Sequence, residues 1–275
     1  MIISILEQSS ILGIMVLGVY ISYKILDFPD LSVDGTFPLG ASIVAACLIH
    51  DINPYVATLL GGIAGAIAGA ITGLLHVKLK ITNLLAGIIV MTGLYSINLR
   101  IMKKSNIPLF GSKNILDQDI NSLLMLFSIL IIFKFSLDFF FKTKIGFLLR
   151  ALGDNENLIS SLGIDEKKIK IFGLALSNFL VAISGGIFAQ YQGFSDVGMG
   201  TGTIITALAS IILGEILLGK MKLLLKTTIV IIGTVFFKSI IAFSLELGLN
   251  ASDLKLLTAC IVCIIIGAKE MKKYA

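Results

Sequence analysis

Long apolar runs separated by short polar stretches are the feature of this sequence that most limits its fold. A helix needs about 20 apolar residues to cross a bilayer, and among nine such runs the second and seventh are short. The runs lie at 10–26, 37–50, 54–76, 83–102, 120–141, 171–190, 204–218, 227–247 and 254–268. Only 14% of the 275 residues are charged, against about a quarter in soluble domains. We therefore predict one all-α polytopic membrane domain over residues 1–275, with about eight or nine transmembrane helices.

The lysines and arginines predict the orientation of the chain, because cytoplasmic loops carry an excess of them. With the N-terminus outside, fifteen lie on one side and five on the other, while Lys134 and Lys238 fall inside runs. The fifteen are Lys24, Lys78, Lys80, Lys142, Lys144, Arg150, Lys167, Lys168, Lys170, Lys220, Lys222, Lys226, Lys269, Lys272 and Lys273. The five are Arg100, Lys103, Lys104, Lys113 and Lys255. We expect a cell-membrane protein with its C-terminus in the cytoplasm, whose net charge of +5 reflects these loops and not nucleic-acid binding.

Small residues recur at every fourth position of the third run. They are Ala57, Gly61, Gly65, Gly69 and Gly73, which lie along one face of a helix. Such a face lets a second membrane helix approach closely. We expect static packing inside the bundle, with a sliding surface as the alternative.

Two segments resemble each other, and each leads into a short apolar run. Phe28-Pro-Asp-Leu-Ser-Val-Asp-Gly-Thr36 precedes Leu39-Gly-Ala-Ser42, and Phe194-Ser-Asp-Val-Gly-Met-Gly-Thr-Gly-Thr203 precedes Ala207-Leu-Ala-Ser210. The charge-based topology gives the two segments opposite orientations, as in an inverted repeat, where broken helices hold the substrate near the midplane. Two ordinary interhelical loops are the alternative interpretation.

Polar side chains in and around these segments are the candidate lining of a translocation path. Hydroxyl and carboxylate groups can satisfy the N–H groups that a broken helix leaves free, and they suit a zwitterionic solute. The candidate path residues are Asp30, Ser32, Asp34, Thr36, Asn98, Gln190, Tyr191, Gln192 and Asp196.

Charged side chains inside the apolar runs are also informative, since each costs about 2.5–3.5 kcal/mol at a helix centre. Lys134 and Asp138 are four residues apart and can pair on one helix face. For Glu215 and Lys238, substrate contact and interhelical pairing both stay open.

Residues 142–170 form the only sizeable polar stretch. Asp154 can cap a helix that starts at Asn155 and ends at Gly163, and Asp165 can cap the run that enters the next span. A short amphipathic helix on the cytoplasmic face suits a partner protein. A connector that rests on anionic headgroups is the alternative.

This stretch carries a resemblance to a known family. Arg150-Ala-Leu-Gly-Asp-Asn155, then Gly163-Ile and a basic run to Lys170, resemble the cytoplasmic loop of ABC-transporter permeases of the branched-chain amino acid and ribose superfamily. Further segments are similar to a narrower group that includes tryptophan and tyrosine importers. They are 20–40, 94–100, 189–196, 209–215 and 253–258, so the resemblance covers nearly the whole chain.

The resemblance implies a transmembrane subunit with a fold like that of type II ABC importers. It implies that a complex normally has two such subunits, for which we expect a homodimer with a heterodimer as the alternative, together with two cytoplasmic ATPases and an external substrate-binding protein. It also implies that 153–163 is the coupling helix that contacts the ATPase. The residues implied in coupling are Arg150, Gly153, Asp154, Asn155, Glu156 and Gly163. The sequence departs from the group at Lys103-Lys104, where a glycine-containing turn is expected.

The sequence shows no catalytic constellation and no set of metal ligands, so we expect neither an enzyme nor a cofactor site. Residues 214–220 fit the start of a phosphate-binding loop, but Met221 stands where that motif needs Ser or Thr. ATP hydrolysis is therefore expected in a partner subunit. We predict a permease of an ATP-driven importer for a small solute, an amino acid by preference and an aromatic one as a candidate. A secondary transporter or channel with an inverted repeat is the alternative.

Overall fold

The structure is a computed structural model that describes residues 2–116, 121–161, 163–219, 225–248, 250 and 253–274. Over these residues the chain is mostly helical. The helices are α1 (Ile2–Tyr20), α2 (Val33–Ile49), α3 (Pro54–Leu79), α4 (Asn83–Met102), α5 (Ser122–Phe140), α6 (Lys144–Asp154), α7 (Glu156–Ser161), α8 (Glu166–Gln192), α9 (Thr203–Leu218), α10 (Lys226–Glu246) and α11 (Leu254–Tyr274). Two short strands, β1 (Asn106–Pro108) and β2 (Phe194–Asp196), pair as an antiparallel ribbon.

Seven segments among the described residues are long and apolar enough to cross a membrane. They are Ile2–Ile25, Pro54–Leu79, Asn83–Met102, Ser122–Phe140, Glu166–Gln192, Val197–Leu218 and Lys226–Glu246. Two further apolar helices, Val33–Ile49 and Leu254–Ile264, are shorter. The all-helical polytopic class is thus confirmed, with seven full-length candidates where the apolar runs predicted eight or nine spans.

Both segments that resemble each other interrupt the helical path. α1 continues as a π-helical turn over Ile21–Ile25, and residues 26–32 connect that turn to α2. After α8, strand β2 and a 3-10 turn over Val197–Gly200 precede α9. α9 alone has 16 residues, and the turn extends its span to 22. An interruption therefore precedes α2 and α9, the helices of the second and seventh runs.

Helix α8 is central to the bundle, because α1, α2 and α3 all pack against it. Two serines of α8 bond to the backbone of α1. Ser177 Oγ donates to the carbonyl oxygen of Gly18 at 2.8 Å, and Ser184 Oγ donates to that of Ile11 at 2.7 Å. The order of these contacts shows that α1 and α8 run antiparallel.

The glycine face of α3 packs directly on α8. A Cβ added at Gly65 would overlap Ala182, and one added at Gly69 would overlap the carbonyl oxygen of Leu174. Close backbone approach of this kind replaces the hydrophobic drive that helices lack in lipid. In this structure the face is a tight packing surface between α3 and α8.

The fourth span ends where the sequence predicted, at Met102. Lys103 follows in the left-handed region with φ 57°, and its N–H donates to the carbonyl oxygen of Leu99 at 2.8 Å. Glycine favours this conformation, which explains why a glycine-containing turn was expected at this position. Here lysine occupies the left-handed position, and the chain then enters β1.

Candidate functional site

Asp34 joins the two interrupted segments. It lies in the first turn of α2 and is partly buried. Its Oδ1 accepts hydrogen bonds from the Ile204 N–H at 2.9 Å and from the Thr203 hydroxyl at 2.8 Å. Its Oδ2 accepts from the N–H of Gly202 at 2.9 Å. A carboxylate of α2 therefore caps the N-terminus of α9.

The electrostatics of this junction follow from the two helix ends that meet there. The first N–H groups of a helix lack intrahelical partners and carry about half a positive charge together. Asp34 places its negative charge at the start of α2 and, through three hydrogen bonds, at the start of α9. In transporters with broken helices such ends face anionic substrate groups. At the N-terminus of α9, the carboxylate of Asp34 occupies the position that a substrate anion has in those transporters.

Asp30 and Ser32 bind Asn178 of α8. Asp30 Oδ2 accepts from Asn178 Nδ2 at 2.8 Å, and Ser32 Oγ donates to Asn178 Oδ1 at 3.3 Å. The N–H of Ser32 also donates to Asp30 Oδ1 at 2.9 Å. These bonds fix the connection between α1 and α2 against the middle of α8.

Thr36 and Asn98 are fully buried next to this connection. Thr36 Oγ1 donates to the carbonyl oxygen of Ser32 at 3.0 Å, and Asn98 Nδ2 donates to that of Gly35 at 3.2 Å. Asn98 Oδ1 is buried and has no hydrogen-bond partner among the described residues. Both side chains hold the first turn of α2 from inside the bundle.

The remaining path candidates lie at or just beyond the C-terminal end of α8. Gln190 is buried and bonds to the N–H of Ile115 and to Thr58 Oγ1, both at 3.0 Å. Tyr191 donates to Glu7 Oε2 at 3.1 Å, and Gln192 is exposed. Asp196 Oδ1 accepts from the N–H of Gly198 at 2.7 Å.

The structure brings the two segments together at a different place from the one that the polar residues suggested. Asp34 bonds to residues 202–204. Over the described residues, no hydrogen bond joins Gln190, Gln192 or Asp196 to the first segment. Five candidates, Asp30, Ser32, Thr36, Asn98 and Gln190, are each at most 3% exposed. Sequence reasoning missed Asn178, Gly202 and Ile204. Of these positions, only Gly202 was marked in the sequence, because the Gly202-Thr203 pair ends the second of the two similar segments.

Of the charged side chains predicted inside the apolar runs, Lys134, Asp138 and Glu215 form ion pairs, and Lys238 forms none with the described residues. Lys134 Nζ lies 2.8 Å from Asp138 Oδ2, as predicted, and Thr227 donates to Asp138 Oδ1 at 2.6 Å. Glu215 Oε1 lies 2.8 Å from Lys24 Nζ, which favours interhelical pairing for that residue. Lys238 is partly buried in α10, and no ion pair joins it to another described residue.

The polar stretch 142–170 folds into α6, α7 and the start of α8. Thr143 and Asp165 cap α6 and α8 through their side-chain oxygens, and Gly163 follows α7 with φ 73°, as predicted for a helix end. The prediction that Asp154 caps a helix is wrong, because Asp154 is the last residue of α6. The sequence reading overlooked α6, whose apolar residues Leu149 and Leu152 are buried.

Among the residues implied in coupling, Arg150, Asp154 and Asn155 are exposed. The Arg150 guanidinium lies 4.8 Å from the centre of the Phe141 ring. Gly153 instead faces inward, since a Cβ there would overlap the carbonyl oxygen of Ile25. Arg150 and Asp154 are therefore exposed at the end of α6, and Gly153 packs that end against the π-helical turn that follows α1. The Glu156 side chain lies outside the described part of the structure.

A helical bundle with seven candidate spans and interrupted helices has the architecture of a polytopic membrane protein. Residues 1–267 match the family model described as branched-chain amino acid transport system / permease component. The chain belongs to this family of ABC-transporter permeases. It is accordingly a transport subunit and not itself an enzyme, and the family works with ABC ATPases and substrate-binding proteins.

Curated relatives agree with the family. The chain is 51% identical over 270 residues to the tyrosine transport system permease protein of Clostridioides difficile, covering 98% of this chain and 92% of the relative. It is 33% identical to the uncharacterized protein RP368 of Rickettsia prowazekii, covering 97% and 96%. It is 27% identical to the ribose import permease protein RbsC of Bacillus subtilis, covering 78% and 67%. No solved structure matches the chain.

Proposed function

We propose that this permease imports an amino acid with an aromatic side chain, tyrosine being the first candidate. The observation that carries the proposal is the 51% identity to a tyrosine transport permease, which extends over 98% of this chain. The importer would contain two copies of the chain, two ATPases and an external binding protein that supplies most of the selectivity. ATP hydrolysis in the ATPases would drive alternating access.

We propose the orientation that the charge distribution favours, with the N-terminus outside and α6 and α7 in the cytoplasm. The described helical pair carries Lys144 and Arg150, and cytoplasmic segments are rich in such residues. The ATPase would then contact the exposed residues Arg150, Asp154 and Asn155, together with Glu156 and Gly163. Motion of the ATPases would pass to α1 through Gly153, because that residue abuts Ile25.

We further propose that the translocation path passes the junction of α2 and α9. The helices that lead into the two segments, α1 and α8, run antiparallel, which supports an inverted repeat of the type II importer kind. Asp34, Tyr191, Gln192 and Asp196 retain exposed surface and would face the path. Asp30, Ser32, Thr36, Asn98 and Gln190 would hold its shape from within the protomer.

Substrate identity is tested by uptake into proteoliposomes that contain the permease, its ATPase and its binding protein. We expect labelled tyrosine to accumulate, unlabelled phenylalanine or tryptophan to compete, and leucine and ribose to compete weakly. Accumulation of ribose or leucine without competition by tyrosine would refute the aromatic assignment and leave the importer class intact.

A further inference from the structure

A basic cavity lies where α3 ends and α8 begins. It has a volume of about 240 Å³ and is lined by His76, Val77, Lys80, Glu166, Lys167 and Lys170. It belongs neither to the junction at Asp34 nor to the exposed end of α6. Residues 76–80 and 165–170 together contain five lysines and two carboxylates, so the cavity is positively charged.

The acidic groups next to the cavity are already engaged. Glu166 Oε2 accepts a hydrogen bond from the Ser160 hydroxyl. Asp165 accepts from the N–H of Lys167 and lies 3.5 Å from Lys168 Nζ. The exposed ammonium groups of Lys80 and Lys167 have no ion pair with any described residue. The positive charge at the cavity is therefore only partly offset within the chain.

His76 adds a further polar group and connects the cavity to the interrupted segment. Its Nδ1 lies 2.8 Å from the carbonyl oxygen of Ile81, and because a carbonyl only accepts, Nδ1 carries the hydrogen. Nε2 is then the ring atom left for another partner. The ring also packs edge-on against Phe28, with 5.1 Å between centroids.

The position of the cavity along the helices indicates its ligand. It lies at the last turn of one candidate span and the first turn of another, which is the depth of the lipid headgroups. Leu79 and Phe172 are exposed nearby, at 63% and 43% of their surface, and can contact acyl chains. Basic pockets between transmembrane helices bind anionic headgroups. We propose that this cavity binds the phosphate group of an anionic phospholipid.

The proposal goes beyond the transport function and is tested on the purified full-length permease in detergent. We measure the thermal unfolding midpoint with added phosphatidylglycerol, phosphatidylcholine or inorganic phosphate. Phosphatidylglycerol is expected to raise the midpoint of the wild type, because a ligand that binds only the folded state stabilises it. Phosphatidylcholine is expected to give a clearly smaller rise. An equal effect of inorganic phosphate would show a free-anion site and overturn the lipid assignment.

Two charge-matched double variants separate a defined site from general attraction. Lys80→Gln with Lys167→Gln removes two lysines of the cavity, while Lys78→Gln with Lys168→Gln removes two neighbours that do not line it. We expect the first variant to lose about half or more of the lipid-induced shift and the second to keep it. Equal losses would overturn the proposal. It would also fail if the cavity variant kept the lipid shift and lost only its association with the ATPase.

Discussion

Asp34 is the single residue on which the meeting of α2 and α9 most depends. Its carboxylate is the only described side chain that bonds the first turn of α9 from another helix, with contacts of 2.8–2.9 Å. Leaving buried donors without a partner costs about 1–3 kcal/mol, and capping residues contribute about 0.5–2 kcal/mol. Its charge also lies at the positive ends of two helices.

Replacing Asp34 by alanine should therefore lower the stability of the permease. We expect a loss of about 1–3 kcal/mol for Asp34→Ala, and a smaller loss for Asp34→Asn, which keeps one acceptor oxygen. Thermal unfolding in detergent measures both. Asp196→Ala is a matched control, because Asp196 caps only the N–H of Gly198 at the surface. A control variant that loses as much as Asp34→Ala would contradict this role.

Gly153 packs the C-terminal end of α6 against the π-helical turn that follows α1. Its Cα lies so close to the carbonyl oxygen of Ile25 that an added methyl group would overlap it. Gly153→Ala should force α6 away from α1, at a cost of about 1–3 kcal/mol, and reduce the yield of folded protein.

The control for Gly153 is Gly93→Ala in α4, where a Cβ would meet nothing within 4 Å. That change should be neutral or stabilising by up to about 1 kcal/mol, because alanine favours helix. Size-exclusion profiles and thermal midpoints report both variants. If Gly153→Ala folded as well as Gly93→Ala, the close contact with Ile25 would be refuted.

At the level of elements, the buried residues of α6 and α7 have a different role from the exposed residues at the turn between them. Their buried residues, including Leu149, Leu152 and Ile159, anchor the pair to the bundle. Asp154 and Asn155 stand exposed at the turn between the two helices. Substitutions at this turn can therefore weaken the contact with a partner while the buried residues still attach α6 and α7 to the bundle.

The variant Asp154→Arg should uncouple the importer. We expect uptake to fall by about tenfold or more, as for the loss of an interface contact of about 1.4 kcal/mol or greater, while the thermal midpoint stays near that of the wild type. Asp253→Arg, an exposed acid next to α11, serves as control and should transport normally. Unchanged uptake in the Asp154→Arg variant would disprove the placement of the ATPase.

For the whole molecule, orientation is the next property to test. Single cysteines at Lys113 and at Lys142, in a chain with Cys47, Cys260 and Cys263 replaced by alanine, report the two faces. In intact cells a membrane-impermeant maleimide should label position 113 and leave position 142 unlabelled until the membrane is opened. The reverse pattern would invert the proposed topology.

Structural features that depend on residues close together in the sequence were predictable. Contacts between residues far apart in the sequence were not. The end of α4 at Met102, the cap at Asp165, the pair Lys134–Asp138 and the packing face of α3 all follow from helical spacing. The bond from Ile204 to Asp34 spans 170 residues, and no local pattern marks it. The prediction for Asp154 is wrong because α6 starts at Lys144 and continues through Asp154, so this residue ends one helix and does not cap the next.

ATP-driven uptake is the decisive test of whether the permease works in an ABC importer. Proteoliposomes with the permease, its ATPase and its binding protein should accumulate labelled tyrosine only when ATP is present on the ATPase side. An ATPase variant that binds ATP without hydrolysing it should abolish accumulation, and an imposed proton or sodium gradient should not restore it. Accumulation without the ATPase, driven by an ion gradient alone, would refute ATP-driven import and favour a secondary transporter.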